Sequence, residues 1–228
     1  GLLDGRLHLR QPAEGYRAAI DPIFLAAAVP AVAGQTVLEL GFGVGTAGLC
    51  LASRVEGVSV TGVELQEDFV DLARRNIEAN DFADRVKVWA ADIADLPKEI
   101  RAETYDHVMM NPPYFEPRSS RASPLPSKAL ANTENHLGLG DWLEAGIKRL
   151  RHRGSITVTH SADRLDDLLS ELGERAGSPE VYPLWPKADR PAKRIVVRAV
   201  KGGRASLVMH PGLVLHQPVD RADKSIQH

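Results

Sequence analysis

Between Thr36 and His160, short runs of β-branched and apolar residues alternate with stretches whose apolar positions recur every three to four residues. The runs predict strands buried on both faces, and the periodic stretches predict amphipathic helices that cover them, so the pattern is that of a parallel sheet wrapped in helices. Strands are expected at 36–40 (TVLEL), 58–63 (VSVTGV), 86–90 (VKVWA), 105–110 (YDHVMM) and 155–159 (SITVT). Helices are expected over 66–80, with Phe69, Ala73 and Ile77 on one face, and over 141–152, with Asp141 as N-cap and Leu143, Ile147 and Leu150 inward. A third, 161–172, aligns Leu165, Leu168, Leu169 and Leu172. These apolar positions are core and carry no function. Beyond them come a strand at 180–185, a Pro- and charge-rich turn at 186–193, and the β-branched run Ile195–Val200. Strands joined so tightly are antiparallel. The expected fold is therefore α/β and Rossmann-like: seven strands, six parallel and one antiparallel, with helices on both faces.

Residues 1–35 precede this domain as a Gly-, Arg- and Gln-containing arm, followed by Asp21-Pro22 as N-cap and first residue of a short helix ending at Pro30. The main domain is expected over 36–216, and 217–228 is read as a tail. The segment 116–135 is rich in Pro, Ser and Arg, has no periodicity and reads as a long loop. At 228 residues and 43% hydrophobic content the chain can fill one substantial core. A formal charge of −2 argues against non-specific coating of nucleic acid but leaves room for a local basic face. Cys50 is the only cysteine, which excludes an internal disulfide, and no Cys/His spacing suits zinc. No apolar run approaches the roughly 18 to 20 residues that span a bilayer, and the opening Gly-Leu-Leu-Asp has no signal pattern. The expectation is a cytoplasmic protein without metal or membrane attachment.

The strand Thr36–Leu40 runs straight into Gly41-Phe42-Gly43-Val44-Gly45 and a helix-compatible stretch. Glycines there let a ligand approach the backbone closely. Two spellings coexist: Gly41, Gly43 and Gly45 give G-x-G-x-G, whereas Gly43, Gly45 and Gly48 give the dinucleotide fingerprint G-x-G-x-x-G. Both expect an acidic residue at the end of the second strand, about 20 residues on, to hold ribose hydroxyls, and Glu64 stands there. Glu39, just before the first glycine, and Asp92, closing the third strand, favour S-adenosylmethionine over a nicotinamide, because this acidic-x-G-x-G-x-G form resembles motif I of class I methyltransferases. In that family the residue at the position of Asp92 binds the adenine amino group and the next, Ile93, packs on the ring. The simpler alternative for Asp92 is a helix cap, since Asp after a strand commonly starts a helix.

The fourth strand ends in Asn111-Pro112-Pro113-Tyr114. Ligands in open α/β sheets bind at this edge. The tetrapeptide resembles the motif of methyltransferases that modify planar amino nitrogens: adenine N6, guanine N2 and the glutamine amide. Such nitrogens are poor nucleophiles because the lone pair is delocalised. Two acceptors, the Asn111 side-chain carbonyl and the Pro112 main-chain carbonyl, suit the two N–H groups and favour a tetrahedral nitrogen. Tyr114 offers a stacking face, which Phe115 extends, and the prolines, Pro113 included, stiffen the backbone.

Taken with Arg10-Gln-Pro-x-x-Gly15-Tyr16-Arg17, Lys193–Arg204 and His210–His216, these motifs make the chain similar to the bacterial tRNA1(Val) adenine N6-methyltransferase family over most of its length. The resemblance implies methylation of the adenine next to the anticodon, with S-adenosylmethionine as cofactor and tRNA as partner. It implies a cofactor site of Glu39, Gly41, Phe42, Gly43, Gly45, Glu64, Leu65, Asp92, Ile93 and Asn111, with Tyr16, Arg17 and Asp21 brought over its mouth by the arm. Substrate contacts are expected from Pro113, Phe115 and Arg118, with Arg121 and Lys128 in the same loop. Residues 185–204 carry seven Lys or Arg against the single Asp189. If 180–185 runs parallel to the other strands, the following turn places Lys187, Arg190 and Lys193 at the N-P-P-Y edge. The histidines show no spacing for a metal or a triad. Rival readings are a protein-glutamine N5-methyltransferase, a guanine-N2 methyltransferase of ribosomal RNA and, from another class, a nicotinamide-dependent oxidoreductase. The last leaves N-P-P-Y and Asp92 without a role.

Overall fold

Strands form where the β-branched runs predict them: β1 (Thr36–Leu40), β2 (Ser59–Glu64), β3 (Val86–Ala90), β4 (Tyr105–Met110), β5 (Leu150–Ser161), β6 (Ala176–Trp185) and β7 (Arg194–Lys201). The computed structural model describes residues 2–12, 20–113, 137–173 and 175–216. The sheet order is β3-β2-β1-β4-β5-β7-β6. The strands β1 to β5 are parallel neighbours, and β7 is antiparallel to both β5 and β6, so β6 points the same way as β1. Six parallel strands and one antiparallel strand are thus as expected. Two additional strands, β8 (Val208–Met209) and β9 (Leu213–Val214), pair in parallel along the outer side of β6. At two residues each they have no periodicity to read.

Helices α1 (Asp21–Ala28), α2 (Thr46–Arg54) and α3 (Glu67–Ala79) cover one face, and α4 (Lys98–Ala102), α5 (Leu139–Arg149) and α6 (Leu165–Leu172) the other. Each face has its own apolar core, and strand alternation feeds both: Leu38 and Leu40 enter the α4–α6 core, while Val37 enters the α1–α3 core. Several boundaries differ from the sequence expectation: β6 begins at Ala176 rather than 180, through an Ala-Gly-Ser-Pro stretch without β-branched residues, and α6 begins at Leu165 rather than 161, behind a 3-10 turn. Asp21 and Pro22 are the first two residues of α1, behind Ile20 at the cap, and the helix stops at Ala28 because Val29 is extended ahead of Pro30. Asp141 is the third residue of α5 rather than its N-cap; its Oδ2 accepts the Gly138 N–H at 2.8 Å. The strand β5 begins at Leu150, where helix was expected to continue. Its start is irregular, with Arg153 at φ 64° and a register shift against β4 between Tyr105 and His107, so polar Arg151-His152-Arg153 carries no strand signal.

At the amino end of the sheet His107 is buried, with Nδ1 2.8 Å from Ser155 Oγ and Nε2 2.9 Å from Gln35 Oε1. Because that same oxygen accepts the Val32 N–H, Nε2 is the protonated nitrogen. The six parallel strands end at the opposite edge, and the glycine loop and N-P-P segment leave the sheet there.

Candidate active site

The chain turns out of β1 through Gly41, Gly43 and Gly45, at φ 74°, 55° and 89°, a left-handed conformation that side chains resist. The Gly41 and Phe42 amides both donate to the Val63 carbonyl, at 2.9 and 2.8 Å. The Gly43 amide donates to Glu64 Oε2 at 2.8 Å. A Cβ built on Gly43 would meet nothing within 4 Å, so this side of the loop is open to a ligand lying against the backbone. Gly48 has another task. It lies within α2, where a Cβ would come 2.9 Å from Glu39 Oε2 and collide with the Phe42 ring. That ring is 2% exposed and rests on Gly45, Gly48 and Gly62. The left-handed triplet is therefore G-x-G-x-G, Gly48 is a packing glycine, and the Phe42 side chain belongs to the core.

Three carboxylates stand at the ends of β1, β2 and β3 on this edge, in different surroundings. Glu64, buried at the end of β2, takes one backbone N–H on each oxygen, from Gly43 and from Gln66 (3.0 Å). Burial raises its pKa against the opposing pull of the Gln66 and Gly43 amides. Each oxygen retains a lone pair for a hydroxyl donor. Glu39 is fully buried beneath the loop. Burial lifts its pKa well above the carboxylate range, the Gly48 amide opposes this, and the neighbouring Glu64 adds to it. Asp92, exposed after β3, accepts the Ala94 N–H at 2.8 Å and caps a 3-10 turn, so the capping role is real and occupies one of its oxygens. Ile93 is packed into the α4–α6 core, and Leu65 is 39% exposed.

The segment Asn111-Pro112-Pro113 leaves β4 directly. The partners Leu40 and Met110 are in register at the ends of two adjacent parallel strands, which lie about 4.8 Å apart, and Gly41 and Asn111 are the residues that follow them. Asn111 is half-buried, Pro112 buried and Pro113 exposed. Tyr114, Phe115, Arg118, Arg121, Lys128, Tyr16 and Arg17 lie outside the described residues. Asp21 is buried at the same edge, where its Oδ2 accepts from Arg194 Nε at 3.2 Å and joins α1 to the start of β7. His160, buried at the end of β5, accepts the Ser161 N–H on Nδ1 at 2.9 Å. Burial, with Arg164 and Arg194 nearby, lowers its pKa.

The turn between β6 and β7 lies at this edge and exposes Lys187, Arg190 and Lys193. Since β6 is three strands from β4, the offset from Asn111 along the sheet is about 14 Å. Of the rest of the basic run Arg204 is exposed, and the other three are half-buried and engaged within the chain. Arg194 holds Asp21, Arg198 donates to both oxygens of Glu180 at 2.7 and 2.8 Å, and Lys201 Nζ donates to the Leu150 carbonyl at 2.7 Å. Asn76 of α3 and Asn80 at its C-cap, to which sequence reasoning gave no role, hold the arm: Asn76 pairs with Arg10 and Asn80 with His8. Two asparagines one helical turn apart were the available signal.

Residues 20–143, which contain the glycine loop, Glu64, Asp92 and Asn111-Pro112-Pro113-Tyr114, match the family model of the methyltransferase small domain. The chain belongs to that family. Among its relatives, proteins named tRNA1(Val) (adenine(37)-N6)-methyltransferase are 29% identical over 166 residues in Shewanella halifaxensis, covering 71% of this chain and 65% of that protein, and 34% identical over 157 residues in Cronobacter sakazakii, covering 67% and 63%. The chain thus spans just under two thirds of these relatives. A crystal structure described as a predicted O-methyltransferase from Agrobacterium tumefaciens is 27% identical, with a TM-score of 0.71 over 89% of this chain and 90% of that one. TrmN from Thermus thermophilus shares the fold, at TM-score 0.60 and 20% identity over 79% of this chain and 48% of that one. The methyltransferase fold expected from the sequence holds, and the glycine loop of this small-domain member has an open backbone face at Gly43 beside the Glu64 carboxylate.

Proposed function

We propose that the protein methylates the N6 amino group of an adenine in tRNA, with S-adenosylmethionine as methyl donor and the adenine beside the anticodon of tRNA1(Val) as target. The observation that carries this reading is the placement of Gly41 and Asn111 side by side at the ends of adjacent parallel strands, which brings a cofactor loop and an acceptor for an amino group together. The relatives named above supply the tRNA and the base. In this reading the open face at Gly43 and the Glu64 carboxylate hold the cofactor and Asp92 its adenine, and the bound cofactor supplies an electrophilic methyl group on sulfur. Asn111 Oδ1 and the Pro112 carbonyl accept the two N–H bonds of the target amino group. This draws the lone pair out of the ring and solvates the charge that builds on nitrogen. Pro112 and Pro113 keep both acceptors in place, Tyr114 offers a face for a base taken out of its stack, and proximity accounts for much of the rate. The exposed Lys187, Arg190 and Lys193 meet phosphates along the same edge. Among the described residues no helix is long and apolar enough to cross a membrane; we place the protein in the cytoplasm with its tRNA.

Labelled-methyl transfer to unmodified total tRNA, total protein and DNA, followed by nucleoside analysis, tests the reading, and N6-methyladenosine in tRNA is the expected product. Asn111→Ala is expected to lose roughly a hundredfold or more in single-turnover rate at saturating cofactor. Label recovered in protein glutamine, or near wild-type turnover by Asn111→Ala, would overturn it.

A further inference from the structure

Asn76 has no exposed surface, yet it lies on an amphipathic helix with both amide functions engaged. Its Oδ1 accepts the Arg10 N–H at 2.8 Å, and its Nδ2 donates to the Arg10 carbonyl at 3.0 Å and to the Val44 carbonyl at 2.9 Å. One turn on, Asn80 repeats the pairing with His8: Oδ1 accepts the His8 N–H at 2.9 Å, and Nδ2 donates to the His8 carbonyl at 2.8 Å and to the Asn76 carbonyl at 2.7 Å. The spacing explains why this works. Four residues of helix rise about 6 Å, close to the rise of about 6.7 Å for two residues of extended chain. Side-chain amides at i and i+4 therefore imitate a neighbouring strand, and residues 8 and 10 of the arm pair with them as alternate positions of a strand would. Leu7 is buried and Leu9 half-buried against the same core, so the arm is packed as well as hydrogen-bonded.

The third partner gives the clamp its consequence. Val44 stands between Gly43 and Gly45, and its carbonyl is held from below by Asn76 while Glu64 holds the Gly43 amide from the other flank. We infer that Asn76 is a positioning residue of the cofactor site, one buried amide that orders the glycine loop and the amino-terminal arm together. A glycine loop fixed before binding loses less freedom on binding, so cofactor affinity depends on the arm although His8 and Arg10 need not touch the cofactor. Linkage makes the dependence mutual: whatever the seated arm adds to cofactor affinity, bound cofactor returns as protection of the arm.

The inference rests on the S-adenosylmethionine reading of the site, and its test separates the two. Amide hydrogen exchange at His8 and Arg10 is measured on the full chain with and without S-adenosylhomocysteine, together with calorimetric affinity for that compound. Saturation is expected to slow exchange at both amides. Asn80→Ala leaves the Asn76–Val44 bond in place. It is expected to speed both exchanges and weaken binding roughly two- to tenfold, the effect of one or two net hydrogen bonds, while the melting temperature moves little. Asn76→Ala is expected to weaken binding further. Because that variant removes a buried amide and risks misfolding, Asn80→Ala and the wild-type exchange data carry the test. Wild-type binding with arm exchange indifferent to the ligand, or wild-type affinity in Asn80→Ala, overturns the inference alone. Failure of the wild-type chain to bind S-adenosylhomocysteine overturns the methyltransferase reading and the inference with it.

Discussion

A single carboxyl, that of Glu39, shows how the loop shapes the chemistry of the residues around it. It is enclosed beneath the glycines, and its Oε2 has no hydrogen-bond partner among the described residues. Burial, opposed by the Gly48 amide and reinforced by Glu64, holds its pKa well above the ordinary value. In the unfolded chain the same group titrates near about 4.3. The folded state therefore binds this proton more tightly, so the associated stability is complete below the unfolded pKa and is lost as pH rises through the folded one. Glu39→Gln keeps the shape and removes the titration. Its melting temperature is expected to exceed wild type by a margin that grows as pH rises through the folded-state pKa of Glu39, and superimposable melting-temperature profiles for the two chains would refute a raised pKa at Glu39.

At the scale of elements, the strand β2, the glycine loop and α2 meet around the Phe42 ring, and two of the glycines beneath it are there for space. A methyl group on Gly62 would overlap the ring, so Gly62→Ala is expected to cost about 1–3 kcal/mol by urea unfolding, the range for overpacking a full core. Phe42→Leu in the same chain should restore part of that loss. A cost within experimental error would mean that the ring can move and the nest is loose. This nest also marks where the sequence stopped being informative. Periodicity located seven strands and the helices α3, α5 and α6 because alternation and helical spacing record which faces are buried, whereas α4, at five residues, is too short to show a period. Glycine spacing carries no record of φ, so the two overlapping spellings separated only when Gly41, Gly43 and Gly45 proved left-handed and Gly48 helical. Asp141 was misplaced for a related reason, since an Asp can serve a helix amino terminus from the third position as well as from the cap. Asn76 was missed because a polar residue in an amphipathic pattern reads as solvent-facing; its spacing from Asn80 was a signal, but only tertiary structure shows the arm that the pair holds.

For the whole molecule, the relevant quantity is how charge is distributed around the sheet rather than its total. The run 185–204 is strongly basic in sequence, but β7 turns Arg194 toward Asp21 and Arg198 toward Glu180, whose pKa Arg198, with Tyr182 and His210, draws down to about 2. Lys187, Arg190 and Lys193 face solvent on the turn that the parallel course of β6 delivers to the carboxyl edge of the sheet, three strands from β4. On the proposed tRNA reading those three are expected to meet phosphate. Replacing them together with Ala should raise the dissociation constant for tRNA and lower the slope of its logarithm against log salt by about 2 to 3, one increment per lost phosphate contact. Affinity for S-adenosylhomocysteine and the melting temperature should not move, because none of the three is buried. An unchanged salt slope would mean that the turn is a solvated surface, and the phosphate contacts would then have to be sought in Arg118, Arg121 and Lys128.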